Sequence, residues 1–255
     1  MSSNRAQLRT AVILAAGLGS RIGHRSAVHP KAFIEVGGVT LIQRSLRILA
    51  AHGIEQIIIG TGHHAEWFDR LEGSHPGVRC VRNPDYARSA SLHTLCQRAL
   101  REAVGEDFLL LESDLIYEQR AVGALLDAPS ADAVLVAGLT RLGDEVFVSA
   151  GGDGCLRGLF KDPARSQTAA GVLVGISRIC LPTYRALCDC AARQKAQPSN
   201  LHYEEGLAEI CGQVSIPLLR IADLVWAEID TEEQLHHAVT RVYPLIQARD
   251  HCATP

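Results

Sequence analysis

The chain has 255 residues, 47% of them hydrophobic and 21% charged, which is ordinary globular usage at a length that buries a full core without disulfide or metal staples. A formal net charge of −3 supplies no broad basic field and argues against a nucleic-acid partner, while local cations can still hold a nucleoside triphosphate. The longest apolar run near the N-terminus, Ala11 to Ala16, falls far short of the about 20 residues that cross a bilayer, and a charged loop follows it; the expectation is no membrane insertion, no signal peptide and a cytoplasmic location.

In chain order, Ala11–Leu14 reads as a short buried strand, and Thr40–Ala51 carries apolar residues at helical spacing with Gly53 as its stop. Gln56–Gly60, Val78–Arg82, Phe108–Glu112 and Ala133–Ala137 read as further strands, with a helix around Leu92–Val104. Such alternation predicts an α/β fold with a mostly parallel sheet flanked by helices, and ligands bind such sheets beyond the carboxyl ends of the strands. The second half changes character: Glu145–Ala150 and Cys155–Phe160 flank Gly151-Gly152-Asp153-Gly154, a hairpin signal. A returning strand at Ala170–Ile176, helices at Pro182–Arg193 and Tyr203–Ile210, a strand at Val225–Ile229 and a last helix from Thr231 complete the pattern. The predicted organisation is one domain over 8–249, with an acceptor-binding subregion at about 140–225 and a loose tail over 250–255. Of the eight cysteines, Cys188 and Cys190 form a C-x-C, but no second pair sits at metal-ligand spacing, so the cysteines read as small buried hydrophobes.

The strongest motif is Leu14-Ala15-Ala16-Gly17-Leu18-Gly19-Ser20-Arg21, followed by Pro30-Lys31. Gly17 and Gly19 let backbone N–H groups approach an anion closely, and Arg21 and Lys31 supply charge to a triphosphate. No Walker A sequence is present, and Gly23 sits one place too late for a dinucleotide fingerprint, although Glu35 falls near the place of a ribose-binding acid.

Two strands end in acids, Glu112-Ser113-Asp114 and Glu228-Ile229-Asp230. Phosphoryl transfer from a nucleoside triphosphate calls for a divalent metal, and Mg²⁺ takes carboxylates, phosphates and water. Glu112 and Glu228 share a strand face with their aspartates and are supporting acids. The plainer alternative for Asp230 is a helix cap, together with Thr231. The loop from Asn83 to Ser91 is rich in short polar groups; Ser89 and Ser91 are open to helix capping or to ligand binding. His63-His64 has no partners spaced to complete a metal site.

The glycine motif with its downstream Pro30-Lys31 resembles the signature of the nucleotidyltransferases that make sugar nucleotides and CDP- or CMP-alcohols. The resemblance implies a GT-A-like fold in which Leu14, Ala16, Gly17, Gly19 and Ser20 wrap the nucleotide and Arg21 and Lys31 hold the phosphates. It makes Asp114 and Asp230 the Mg²⁺ ligands, and Asn83, Ser89 and Ser91 contacts to CTP. Over nearly the whole chain, segments 57–63, 109–117, 143–146 and 203–204 look like the 2-aminoethylphosphonate cytidylyltransferases, with bacterial phosphocholine cytidylyltransferases as close relatives of that subgroup. A quaternary ammonium is best held by aromatic rings, whereas a primary ammonium wants carboxylates, and only 5% of this chain is aromatic. Asp144, Glu145, Glu204 and Glu205 are therefore the candidates for the acceptor's amine, and Lys161 for its phosphonate or for the α-phosphate. A solvated first turn of a helix is the alternative for Glu204 and Glu205. Other small phosphate esters, an NAD-dependent oxidoreductase and a non-catalytic nucleotide-binding regulator are the rivals; the oligomeric state, a homo-oligomer included, stays open.

Overall fold

Strand β1 (Thr10–Ala15) is buried at every position and forms the centre of the computed structural model, which describes residues 8–139, 145–195 and 197–252. After it come two short 3-10 segments, Ser20–Ala27 and Lys31–Phe33, and the small hairpin of β2 (Glu35–Val36) and β3 (Val39–Thr40). Helix α1 (Leu41–Ala51) starts where Thr40 Oγ1 accepts from the Gln43 N–H at 3.2 Å. Next are β4 (Gln56–Thr61), α2 (Ala65–Ser74) and β5 (Val78–Arg82). The single helix expected over Leu92–Val104 is two, α3 (Ser91–Cys96) and α4 (Arg98–Ala103), because Gln97 turns extended with ψ 151°.

Strands β6 (Phe108–Glu112) and β7 (Leu115–Tyr117), helix α5 (Arg120–Leu126) and β8 (Ala133–Ala137) follow. The glycine-rich turn at Gly151–Gly154 joins β9 (Phe147–Ala150) to β10 (Leu156–Phe160) as an antiparallel hairpin. The chain continues with β11 (Gly171–Ile179), α6 (Leu181–Arg193), α7 (Tyr203–Ile210), β12 (Leu218–Ile221) and β13 (Trp226–Glu228). It closes with α8 (Glu232–His237), a π-helical turn at Ala238–Val242 and α9 (Tyr243–Cys252). Helix α9 runs on through the first residues of the stretch expected to be loose. Asp250 is tied down there, accepting from Arg44 Nη2 at 2.9 Å and from the Gln119 N–H at 3.1 Å.

Among the described residues, nine strands form the main sheet, with β10-β9-β11-β6-β1-β4-β5 bonded in that order, β8 on β11 and β12 on β8. The β6-β1-β4-β5 part is parallel, while β11 runs antiparallel to β6 and turns the sheet mixed. Alternation along the strands covers both faces. Ala11 and Ile13 of β1 pack with residues of α1, α2 and α5, and Val12 and Leu14 with residues of α3, α4, α6 and α7. A third cluster joins Ile22, Ile34, Val36, Ile116, Ile229, Leu235 and Ile246, and so pins the segment after β1 against β7, β13 and the C-terminal helices. No described helix is long and apolar enough to cross a membrane.

Candidate active site

The parallel strands bring their carboxyl ends to one edge. There the loop after β1, the loop after β5 and the acids after β6 meet around a cavity of about 850 Å³. Leu14, Ala16, Gly17, Gly19, Ser20 and Arg21 all line it. Gly19 has φ +63°, a conformation that glycine adopts without strain, and a Cβ at Gly17 would meet nothing, which leaves room for a ligand.

Lys31 binds both aspartates predicted as metal ligands. Its Nζ donates to Asp114 Oδ2 at 3.1 Å and to Asp230 Oδ1, and Arg21 Nη2 pairs with Asp230 Oδ2. Two features explain the meeting. β13 pairs with β7 so that the Ile229 N–H donates to the Asp114 carbonyl at 3.0 Å, and Ile22 packs in the same apolar cluster as Ile229. Thr231, with Gln234, forms the capping box of α8, so the cap does not use the Asp230 carboxylate, which turns to the cleft. Among the described residues of this cleft, Glu112, Asp114 and Glu228 converge at metal-ligand spacing, each offering one oxygen within 4.8 Å of the others. Asp230 joins them through Lys31. This donor set of hard oxygens suits a divalent cation.

The far end of the cavity is acidic. Glu204 is only 9% exposed, so its place in the first turn of α7 is not solvated; Glu205 takes the capping role, accepting from the His202 N–H at 2.7 Å. Burial pushes the Glu204 carboxyl above its ordinary range, opposed by His202 and Lys161. Glu112 is held well above it as well, by burial first and then by Glu228, Asp114 and Glu204. Tyr203, 1% exposed, lines the same end. Glu145 and Lys161 reach the cavity from either side of the β9–β10 hairpin, while Asp144 lies outside the described residues.

The loop after β5 divides. Ser89 and Ser91 line the cavity, but neither caps α3. Ser91 Oγ accepts from the Tyr203 N–H at 2.9 Å, clasping α3 to α7. Asn83 is fully buried and does not line the cavity; its amide donates to Ser89 Oγ at 3.0 Å and Thr94 Oγ1 at 2.9 Å, and its Oδ1 accepts from the Asp85 N–H at 2.9 Å. It braces the loop from beneath. Sequence reasoning passed over Tyr86, Tyr203 and Trp226, which bring aromatic rings to a cleft expected to be poor in them. Position was the available signal, with Tyr86 after a strand, Trp226 in one and Tyr203 beside Glu204, whereas whole-chain composition does not register three rings in one place.

A MobA-like NTP transferase domain matches residues 11–195, which contain the glycine loop, Lys31 and Asp114. The chain belongs to this family. Within it, the chain is 30% identical over 247 residues to the CMP-5'-(3-aminopropyl)phosphonate synthase of Streptomyces rubellomurinus, covering 92% of this chain and 39% of that protein. It is 29% identical over 116 residues to the 2-aminoethylphosphonate cytidylyltransferase of Lancefieldella rimae, 46% of this chain and 47% of that one. The chain thus spans less than half the length of these two curated relatives. The solved CTP:phosphocholine cytidylyltransferase of Streptococcus pneumoniae superposes with a TM-score of 0.76 at 23% identity, over 90% of this chain and 97% of that one, a likeness of fold. This NTP transferase domain therefore has the α/β architecture expected from its strand–helix alternation.

Proposed function

We propose that the protein transfers CMP from CTP to 2-aminoethylphosphonate, giving CMP-2-aminoethylphosphonate and pyrophosphate. One observation carries the reading: a single cavity holds a cation-lined loop at one end and a buried carboxylate beside a lysine, Glu204 and Lys161, at the other. A triphosphate fits the first end and a zwitterion with an amine and a phosphonate fits the second. The names of the two aminoalkylphosphonate relatives support the same choice.

In this reading Arg21 and Lys31 hold the phosphates that leave as pyrophosphate, and the N–H groups around Gly17 and Gly19 cradle the nucleotide. Asp114 and Asp230, with Glu228 in reach, would hold Mg²⁺, which would spread charge over the phosphates. Lys161 steers a phosphonate oxygen toward the α-phosphorus for in-line attack, with Glu145 on the same rim. The phosphonate is ionised near neutral pH, so positioning and electrostatics provide most of the rate and no strong base is needed. Ser89 and Ser91 border the nucleotide, and Asn83 acts through Ser89. A cytoplasmic location belongs to the same proposal.

A second reading, 3-aminopropylphosphonate as acceptor, is favoured by the relative that matches 92% of this chain. Pyrophosphate release with Mg²⁺ and CTP decides among acceptors: 2-aminoethylphosphonate, 3-aminopropylphosphonate, phosphocholine, inositol 1-phosphate and glucose 1-phosphate. A clear preference for an aminoalkylphosphonate is expected. Turnover confined to phosphocholine or a sugar phosphate overturns the acceptor assignment, and turnover with none overturns the enzyme reading.

A further inference from the structure

We infer that the acceptor's ammonium docks on Glu112, Glu204 and the Tyr203 hydroxyl, in the corner of the cleft that Gly175 leaves open. This rests on the aminoalkylphosphonate reading above and adds the groups that select the amine. A primary ammonium has three N–H donors and needs three acceptors when it leaves water. The corner supplies two carboxylates and a phenol oxygen.

Three observations place it. First, β11 runs beside β6 with Ile176 opposite Leu111, which sets Gly175 against Glu112. A Cβ on Gly175 would stand 2.7 Å from Glu112 Oε2, so a glycine there makes the space into which this carboxylate points. Second, Tyr203 is 1% exposed and its Oη has no hydrogen-bond partner of normal geometry, although Glu112 lies beside it. A buried hydroxyl in that condition costs stability unless a ligand completes it. Third, Lys31 binds Asp114 and Asp230, so a triphosphate held by Lys31 belongs on that side. Glu112 stands between the two ends: one oxygen lies within 4.8 Å of Asp114 and Glu228, while Oε2 is the atom nearest the space beside Gly175, and Glu204 lies with Lys161, which can take the phosphonate. A trimethylated ammonium has no donors to offer these acceptors and needs aromatic faces instead.

The test compares 2-aminoethylphosphonate with ethylphosphonate, which lacks the amine, in the wild type and in Glu112→Gln, Glu204→Gln and Tyr203→Phe. The same proteins are titrated with Mn²⁺ in the presence of CTP, read by electron paramagnetic resonance. A site that hydrogen-bonds a substrate group rejects the analogue lacking it strongly, so the wild type is expected to prefer the amine by at least about 100-fold in kcat/KM. Each glutamine variant is expected to cut that ratio by about tenfold or more, mainly through KM, and Tyr203→Phe by about threefold, with Mn²⁺ affinity within about twofold of wild type in Glu204→Gln and Tyr203→Phe. An unchanged ratio in Glu204→Gln and Tyr203→Phe overturns the inference, even if Glu112→Gln fails to fold. So does a Glu112→Gln protein that loses Mn²⁺ affinity while keeping the ratio, since Glu112 is then a metal ligand. A wild type that turns over phosphocholine and no aminoalkylphosphonate sinks the acceptor assignment itself, an outcome separate from either.

Discussion

Gly175→Ala measures how tightly the acidic corner is built. Gly175 sits in the buried strand β11 with φ +83°, and an added Cβ would lie 2.7 Å from Glu112 Oε2, 2.8 Å from its Cδ and 3.2 Å from Leu115 Cδ1. The left-handed backbone costs an L-residue about 1–2 kcal/mol, and forcing the Glu112 side chain off its rotamer adds about 1 kcal/mol. A total of about 2–3 kcal/mol corresponds to a fall of about 5–10 °C in the melting temperature of a domain this size. The assay is thermal unfolding followed by circular dichroism, run as a double-mutant cycle with Glu112→Ala. Shortening Glu112 removes the collision but not the backbone strain, so Gly175→Ala costs about 1 kcal/mol less in that background. Melting of Gly175→Ala within about 1 °C of wild type would refute the reasoning, and so would equal costs in both backgrounds, which would leave the Glu112 carboxylate no part in the packing.

Three further outcomes are expected. Asp230→Asn removes the carboxylate that receives both Lys31 and Arg21, and kcat falls by about 10²–10³ or more while the circular dichroism spectrum stays native, because Thr231 still caps α8. Glu204 has its folded-state pKa raised by burial above the ordinary value of 4.5, so the folded chain holds that proton to higher pH than the unfolded chain and loses stability as pH rises through that window. Glu204→Gln is then as stable as wild type near about pH 4 and more stable toward about pH 8; a gap that widens on acidification reverses the sign and rejects the assignment. Asn83→Ala breaks three hydrogen bonds beneath the loop after β5, costs about 2–3 kcal/mol in urea unfolding, and weakens CTP binding by calorimetry, since Ser89 loses its brace.

The parts of this site that can be read from the sequence are those where one local pattern carries both structure and chemistry. Buried β-branched and leucine runs announce parallel strands, and in a parallel sheet the residue after each strand lands on the ligand edge; that is why Gly17, Gly19, Arg21, Asp114 and Asp230 could be named without coordinates. Asp230 as cap or as cleft acid was undecidable locally, because both roles ask for an acid before a helix; Thr231 and Gln234 settle it by forming the cap themselves. Asn83 shows the opposite failure. A polar residue at a strand end suggests a ligand, but a loop that folds back over a buried strand end needs an amide beneath it, and sequence does not distinguish the two sides of a loop.

Cross-strand neighbours lie further beyond local pattern. That Gly175 opposes Glu112 follows from β11 entering between β6 and β9, a long-range choice about sheet order that no spacing in residues 171–179 encodes. The same choice determines the acceptor chemistry. With β11 antiparallel at that place, its glycine opens a pocket beside β6, and α7 returns over it to present Tyr203 and Glu204. Six acids and the rings of Tyr86, Tyr203 and Trp226 then share one cleft, and counting rings over the whole chain does not say which of them an amine meets. In the corner itself burial raises the cost of ionising both Glu112 and Glu204, Glu204 adds to the cost at Glu112, and Lys161 offsets part of it at Glu204. Like charges crowded in a partly dry site are most readily balanced by a small cation that donates hydrogen bonds, and a primary ammonium has that chemistry where a trimethylated one does not.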